Sequence, residues 1–99
     1  MSGRVARHLV IRGRVQAVGY RAFVEDAAFD HGLAGWVRNR RNGDVEAVFA
    51  GPPAAVSEVT DACRRGPPAA RVDSVDEREA TEEELALCGG VRFAVLPTV

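Results

Sequence analysis

The order of the predicted elements is the feature that most constrains how this chain can fold. Five strand-like and two helix-like segments occupy most of its 99 residues, in the order strand, helix, strand, strand, helix, strand, with an extra strand-like piece before the end. Two helices placed in this way can cover one face of an antiparallel sheet, which is the split βαβ arrangement. We therefore expect an α+β fold, a ferredoxin-like βαββαβ sandwich with four to five antiparallel strands and two helices on one face.

The first strand and first helix are predicted from contrasting periodicities. Residues 5–14 contain an apolar, partly β-branched stretch that ends near a glycine, which is typical of a strand. Residues 21–31 carry an apolar stripe at a spacing of four, which indicates a helix, and Gly32 is a natural stop. The intervening residues 13–20 are predicted to form a loop.

A hairpin follows the first helix. Residues 35–41 and 44–50 read as two strands, and Asn42-Gly43 between them favours a two-residue type I′ turn. A loop of two residues would pair Arg41 with Asp44 and place Asn39 opposite Glu46.

The second half of the chain predicts one helix and weaker elements around it. Pro52-Pro53 can open a helix that Gly66-Pro67-Pro68 ends. Residues 72–79 predict an exposed or edge strand, 81–87 a turn or short helix, and 91–96 a last strand. The predicted buried face of the helix consists of Ala55, Val56, Val59, Ala62 and Cys63. The length suits one domain, so we assign residues 1–99 to a single unit.

Composition excludes several classes of protein. Hydrophobic residues make up 46% and charged residues 27%, which is ordinary for a globular protein and unlike a disordered one. No apolar run approaches the length of a membrane span, and no apolar leader follows Met1. Cys63 and Cys88 match no zinc spacing, and we expect free thiols. We therefore expect a cytoplasmic, monomeric protein without a membrane partner.

The loop between the first strand and the first helix is the first candidate site. Backbone N–H groups in such a loop can converge into an anion-binding nest, and the helix N-terminus adds unpaired N–H groups and a positive dipole end. Arg21 lies at that first turn, where a cation is disfavoured unless an anion lies beside it. A guanidinium can grip phosphate with two hydrogen bonds. On this physics alone, a solvated surface arginine stays an equal alternative.

Asn39 is the second candidate, because asparagine is depleted in strands. An asparagine on a strand beside a phosphate-binding loop can hold a water molecule through its amide. An asparagine that merely lies near a hairpin turn is the open alternative, and taken alone it is the favoured one.

Two motifs resemble those of the acylphosphatase family. The first is Gly13-Arg14-Val15-Gln16-Ala17-Val18-Gly19-Tyr20-Arg21, which is similar to the family's signature loop. The second is Gly35-Trp36-Val37-Arg38-Asn39, and a hairpin with a Val-Glu pair follows it. The resemblance extends from about residue 6 to residue 97, and the two motifs together make it specific.

The resemblance implies an enzyme that hydrolyses small acyl phosphates to a carboxylate and inorganic phosphate. It implies that Arg21 binds the phosphoryl group and that Asn39 positions the attacking water. It requires no metal and no cofactor. The backbone amides that it implies for the phosphate cradle belong to Val15, Gln16, Ala17, Val18, Gly19 and Tyr20.

Position 17 departs from the family pattern, which usually has glycine there. If the loop needs a positive φ at this residue, Ala17 would cost about 1 kcal/mol or more. If φ is negative, the methyl group would only crowd the phosphate.

Other functions of this fold class are less well supported. An RNA-binding sheet would present paired aromatic residues on its central strands, and the net charge of −1 also argues against nucleic acid. A metal carrier would need a CxxC loop. Acylphosphatase-like domains also occur within larger maturation enzymes, and a phosphate-sensing role without turnover is a further alternative.

Overall fold

Eight elements make up the fold in this computed structural model, which describes residues 3–99. The predicted first strand is confirmed, and the predicted first helix is displaced by one residue. The hairpin's first strand ends two residues earlier than predicted, at Asn39. In chain order the elements are β1 (Val5–Arg14), α1 (Tyr20–Asp30), β2 (Ala34–Asn39), β3 (Val45–Gly51), α2 (Pro53–Arg65), β4 (Arg71–Glu79), α3 (Glu82–Ala86) and β5 (Phe93–Val95).

The five strands form one sheet in the order β4-β1-β3-β2-β5. Three pairs of neighbours are antiparallel, as the ferredoxin-like fold requires. The fourth pair is parallel, because β5 runs beside β2 from Gly35↔Phe93 to Val37↔Val95. The expectation of a purely antiparallel sheet is therefore corrected: after β4 the chain crosses to the far edge and arrives there in the direction of β2.

Helices α1 and α2 pack on one face of the sheet. Val24 and Ala28 of α1 and Val56, Val59 and Cys63 of α2 are buried, as the predicted apolar stripes require. They contact strand residues that alternate along the sheet, so the core lies between the helices and one face. The strand residues of this core are Leu9, Ile11, Val37, Val45, Ala47 and Phe49.

The short helix α3 covers part of the opposite face. Its cap is formed by Thr81, whose hydroxyl accepts from the backbone of Glu84, and by the Glu84 carboxylate, which accepts from the backbone of Thr81. The indole N–H of the fully buried Trp36 donates to the carbonyl of Glu84 at 2.6 Å. This contact holds α3 against β2.

The register of the hairpin differs from the prediction by one residue. Asn39 lies opposite Val45, and Arg38 lies opposite Glu46. The turn is longer than two residues, because the Arg40 amide donates to the Asp44 carbonyl and the Asn42 side chain accepts from the Asp44 amide. A slip of one residue exchanges the faces of paired side chains. Asn39 therefore shares its side of the sheet with Val45, on the face that the helices cover.

Gly35, the first residue of the second motif, lies where no side chain fits. Its φ is 136°, and a Cβ atom there would lie 1.8 Å from the carbonyl oxygen of Val48. No other residue fits this point of β2, where the strand passes against β3.

Candidate active site

The loop of residues 15–19 is held at both ends by buried side chains. Val15 precedes it and Tyr20 follows it, and each is almost fully buried. The Tyr20 hydroxyl donates to the carbonyl of Cys63 in α2 at 2.5 Å. Burial raises the pKa of Tyr20 far above its usual range, so the phenol stays a donor. The loop therefore begins and ends on the rigid core.

Gln16 ties the loop to the β2–β3 turn. Its side-chain amide donates to the carbonyls of Arg40 and Asp44, at 2.6 and 2.8 Å. The same two residues pair across the turn through their backbones. One side chain thus fixes the spacing between the loop and the end of β2.

The loop backbone enters the left-handed region twice. Ala17 has φ 60°, and it is the one non-glycine residue with positive φ among residues 3–99. Gly19, the residue before α1, has φ 79°. Of the two alternatives for position 17, the strained one therefore applies. Alanine adopts a positive φ there, in a conformation that glycine adopts without strain.

The backbone amides of this segment are left free by the fold. In the described part of the chain, no protein group accepts a hydrogen bond from the amides of residues 16–22. Left-handed residues within a short loop turn successive N–H groups toward a common point. The segment also leads into the N-terminus of α1, where the helix dipole is positive. The arrangement suits an anion with several oxygen atoms.

Arg21 and Asn39 line one pocket of about 350 Å³ above this loop. Arg21 is the second residue of α1 and is exposed, and Asn39 is the last residue of β2. The two residues, 18 positions apart in the chain, thus border one space. The full lining consists of Val15, Gln16, Ala17, Gly19, Tyr20, Arg21, Ala22, Glu25, Asn39 and Val95. Of the predicted cradle, only Val18 is outside this lining, because it packs against the core.

The side chain of Asn39 has an unsatisfied acceptor. Its Oδ1 atom is buried and has no hydrogen-bond partner among the described residues. A buried acceptor without a donor costs about 1–3 kcal/mol, and most such atoms in proteins are paired with protein or water. Asn39 thus brings an unpaired acceptor to a residue that lines the pocket.

Three lining residues were missed by sequence reasoning. Ala22 and Glu25 follow Arg21 on α1, and the spacing of four between Arg21 and Glu25 places both on one helix face. The sequence alone shows this spacing, so it could have predicted Glu25 as a lining residue. The sequence gives no such indication for Val95, because this residue reaches the pocket through the parallel pairing of β5 with β2.

The cysteine and histidine side chains do not line this pocket. Cys63 and Cys88 are free thiols, and burial raises the pKa of Cys63 to about 12. His8 contacts Glu46 at 2.6 Å on the face opposite the helices, and His31 contacts Glu58. Among residues 3–99, no group of three His, Cys, Asp or Glu side chains could hold a metal ion. No helix in the same range is long and apolar enough to cross a membrane.

Comparison with known proteins identifies a family that this chain matches. The acylphosphatase family model matches residues 7–93. An acylphosphatase of Bradyrhizobium diazoefficiens is 56% identical over 97 residues, which cover 97% of this chain and 98% of that protein.

Solved structures give the same result. An acylphosphatase from Coxiella burnetii superposes with a TM-score of 0.82 at 32% identity, covering 94% of this chain and 93% of its own. Full-length HypF, in a phosphate- and nucleotide-bound form, contains a similar domain with a TM-score of 0.82 at 25% identity, covering 99% of this chain and 12% of its own. The chain therefore belongs to the acylphosphatase family.

Proposed function

We propose that this protein hydrolyses the carboxyl–phosphate bond of acyl phosphates, with Arg21 and Asn39 as its catalytic residues. The products are a carboxylate and inorganic phosphate, and residues 1–99 act as one domain. One observation carries the proposal: a single pocket is lined by Arg21, by loop residues with free backbone amides, and by Asn39, whose amide oxygen is buried and unpaired. We further propose that the protein acts as a monomer.

Arg21 and the loop amides bind the phosphoryl group in this proposal. Free N–H groups along residues 16–22 offer the donors that phosphoryl oxygens accept. The Arg21 guanidinium adds a planar pair of donors and a full positive charge. Because phosphoryl transfer is catalysed mainly by positioning and charge stabilisation, these groups act on the charge that the equatorial oxygens carry in the transition state.

Asn39 positions the attacking water. Its buried Oδ1 accepts one hydrogen bond from that water, which fixes the direction of the oxygen lone pairs. Attack on phosphorus opposite the carboxylate then breaks the bond between phosphorus and the acyl oxygen. The leaving carboxylate has a pKa of about 4, so its departure needs no strong general acid. We assign removal of the water proton to a phosphoryl oxygen of the substrate, since neither motif, 13–21 or 35–39, contains a carboxylate or an imidazole.

The reaction as written uses no metal and no cofactor. The cost of the left-handed Ala17 falls on folding and on the shape of the cradle, and it leaves the donors in place. Phosphate binding without turnover is the competing function, because the same donors would serve a phosphate sensor.

Hydrolysis of benzoyl phosphate by the purified protein in excess EDTA tests the proposal. We expect one inorganic phosphate per benzoate, competitive inhibition by inorganic phosphate, and incorporation of isotopically labelled water oxygen into phosphate. Incorporation into benzoate would instead place the attack at the carbonyl carbon and overturn the assigned roles. Turnover that EDTA abolishes and metal restores would overturn the metal-free reaction. Tight phosphate binding with no turnover would establish the sensor.

A further inference from the structure

A groove lies beside the phosphate pocket, along helix α1. It has a volume of about 260 Å³ and is lined by Glu25, Phe29, Leu33, Arg92 and Phe93. Glu25 also lines the phosphate pocket, so the two spaces share a wall. The groove and the phosphate pocket are therefore adjacent, with Glu25 at their boundary.

The groove has two walls with regular spacing. Arg21, Glu25 and Phe29 follow one another at intervals of four on α1, which places them on one helix face. Val95 and Phe93 are two apart on β5, so their side chains point to the same side of the sheet. Val95 lines the pocket and Phe93 lines the groove, so both walls run from the phosphate end toward the apolar end.

The far end of the groove is lined mainly by apolar side chains, with Arg92 beside them. Phe29 is 77% exposed, more than any other large hydrophobic side chain named among the exposed ones of residues 3–99. Leu33 is fully buried and forms part of the floor. Phe93 is held by stacking on the buried Phe49, with ring centroids 6.0 Å apart. An apolar ligand placed here would cover the aromatic surface of Phe29 at little conformational cost.

The charges in the groove disfavour an anionic ligand at its middle. The Glu25 carboxylate lies between the phosphate end and the apolar end, and Arg92 lies at the apolar end. A negatively charged group next to Glu25 would meet both repulsion and loss of hydration.

We propose that this groove binds the acyl group of the substrate and that the enzyme favours elongated, uncharged, apolar acyl phosphates. The proposal rests on the proposed function of the phosphate pocket. Eight residues of helix separate Arg21 from Phe29, a rise of about 12 Å. An acetyl group is too short to reach Phe29, whereas an octanoyl group extends along the groove.

Steady-state hydrolysis of acetyl phosphate and octanoyl phosphate, below the concentration at which the latter aggregates, tests the proposal. We expect kcat/KM for octanoyl phosphate to exceed that for acetyl phosphate about tenfold, since several methylene groups leave water. Phe29→Ser should lower this ratio about fivefold, and Phe29→Leu should retain most of it. Leu87→Ser, which removes an exposed apolar side chain that lines neither space, should leave the ratio unchanged.

The possible outcomes distinguish a failure of the groove proposal from a failure of the proposed function. If acetyl phosphate is hydrolysed but octanoyl phosphate is no better, or if Phe29→Ser leaves the ratio unchanged, the groove proposal is wrong and the proposed function stands. If neither substrate is hydrolysed, the proposed function is wrong and the groove proposal falls with it.

Discussion

At the scale of single residues, the site depends on groups that the fold leaves unsatisfied or strained. Asn39 keeps a buried oxygen without a donor, and Ala17 adopts a left-handed conformation. Such features cost stability and cluster at functional sites, where a ligand or a required geometry compensates for them. Both features border the same pocket.

Ala17→Gly should stabilise the protein. Alanine at φ 60° carries steric strain that glycine lacks, and part of the gain is offset by the greater freedom of glycine in the unfolded chain. We expect a rise of about 0.5–1 kcal/mol in the free energy of unfolding, measured by urea titration. The matched control, Gly19→Ala at φ 79°, should lower it by about 1 kcal/mol. An unchanged or lowered stability of Ala17→Gly would mean that the loop is not left-handed at this residue.

Glu25→Gln should strengthen the binding of inorganic phosphate. The carboxylate borders the pocket one helical turn from Arg21 and opposes an incoming anion. We expect the dissociation constant, measured by titration calorimetry, to fall about threefold at low salt and the gain to shrink at high salt. Asp26→Asn removes an exposed charge that does not line the pocket, and it should have a smaller effect. Equal effects of the two substitutions would show that only net charge matters.

At the scale of elements, the loop before α1 and the turn after β2 behave as one unit joined by Gln16. Its two hydrogen bonds set the distance between the amide cradle and Asn39. This coupling links two motifs that lie far apart in the sequence.

Substitution of Gln16 should therefore weaken both the fold and the catalysis. Gln16→Ala removes two side-chain hydrogen bonds, at a cost of about 1–3 kcal/mol in urea unfolding, and kcat should fall more than phosphate affinity. Gln16→Glu should be worse, because its carboxylate would face two carbonyl oxygens without a proton to donate. If Gln16→Glu keeps the stability and kcat of the wild type, the coupling is not made by these hydrogen bonds.

At the scale of the whole molecule, most of the fold follows from local patterns. Apolar stripes in α1 and α2 and the apolar run of β1 predicted the elements, and the two motifs predicted residues that border one pocket. The features that the sequence did not predict arise either from pairing between distant segments or from a side chain that hydrogen-bonds to the backbone of a turn. The Asn42 side chain reshaped the turn and shifted the register, and the parallel β5 brought Val95 to the pocket.

Two carboxylates on the sheet face opposite the helices should make the stability of the protein depend on pH. Burial alone would raise the pKa of Glu46, but hydrogen bonds from His8, Arg38 and Arg40 bring it below its ordinary value. A hydrogen bond from Arg78 is the main cause that lowers the pKa of Glu84 to about 2. Because both pKa values are depressed by folding, their stabilising effect is present above pH 4.5 and is lost as pH falls toward 2.

Urea unfolding at pH 7 and pH 3 measures this dependence. We expect Glu84→Gln to reduce the difference in unfolding free energy between the two pH values. Glu83→Gln removes a neighbouring charge that makes none of these hydrogen bonds, and it should leave the difference as it is. A wild type that is equally stable at both pH values would contradict the account of this face.

The central claim is that Arg21 and Asn39 perform different parts of one reaction in one pocket. Steady-state kinetics with benzoyl phosphate tests it most directly, using Arg21→Ala, Asn39→Ala and the control Arg65→Ala, each checked for folding. We predict a loss of about 100–1,000-fold in kcat/KM for Arg21→Ala with lost phosphate inhibition, about 100-fold in kcat with little change in KM for Asn39→Ala, and no change for Arg65→Ala. Full activity of either folded pocket variant, or the same loss in all three proteins, would contradict the claim.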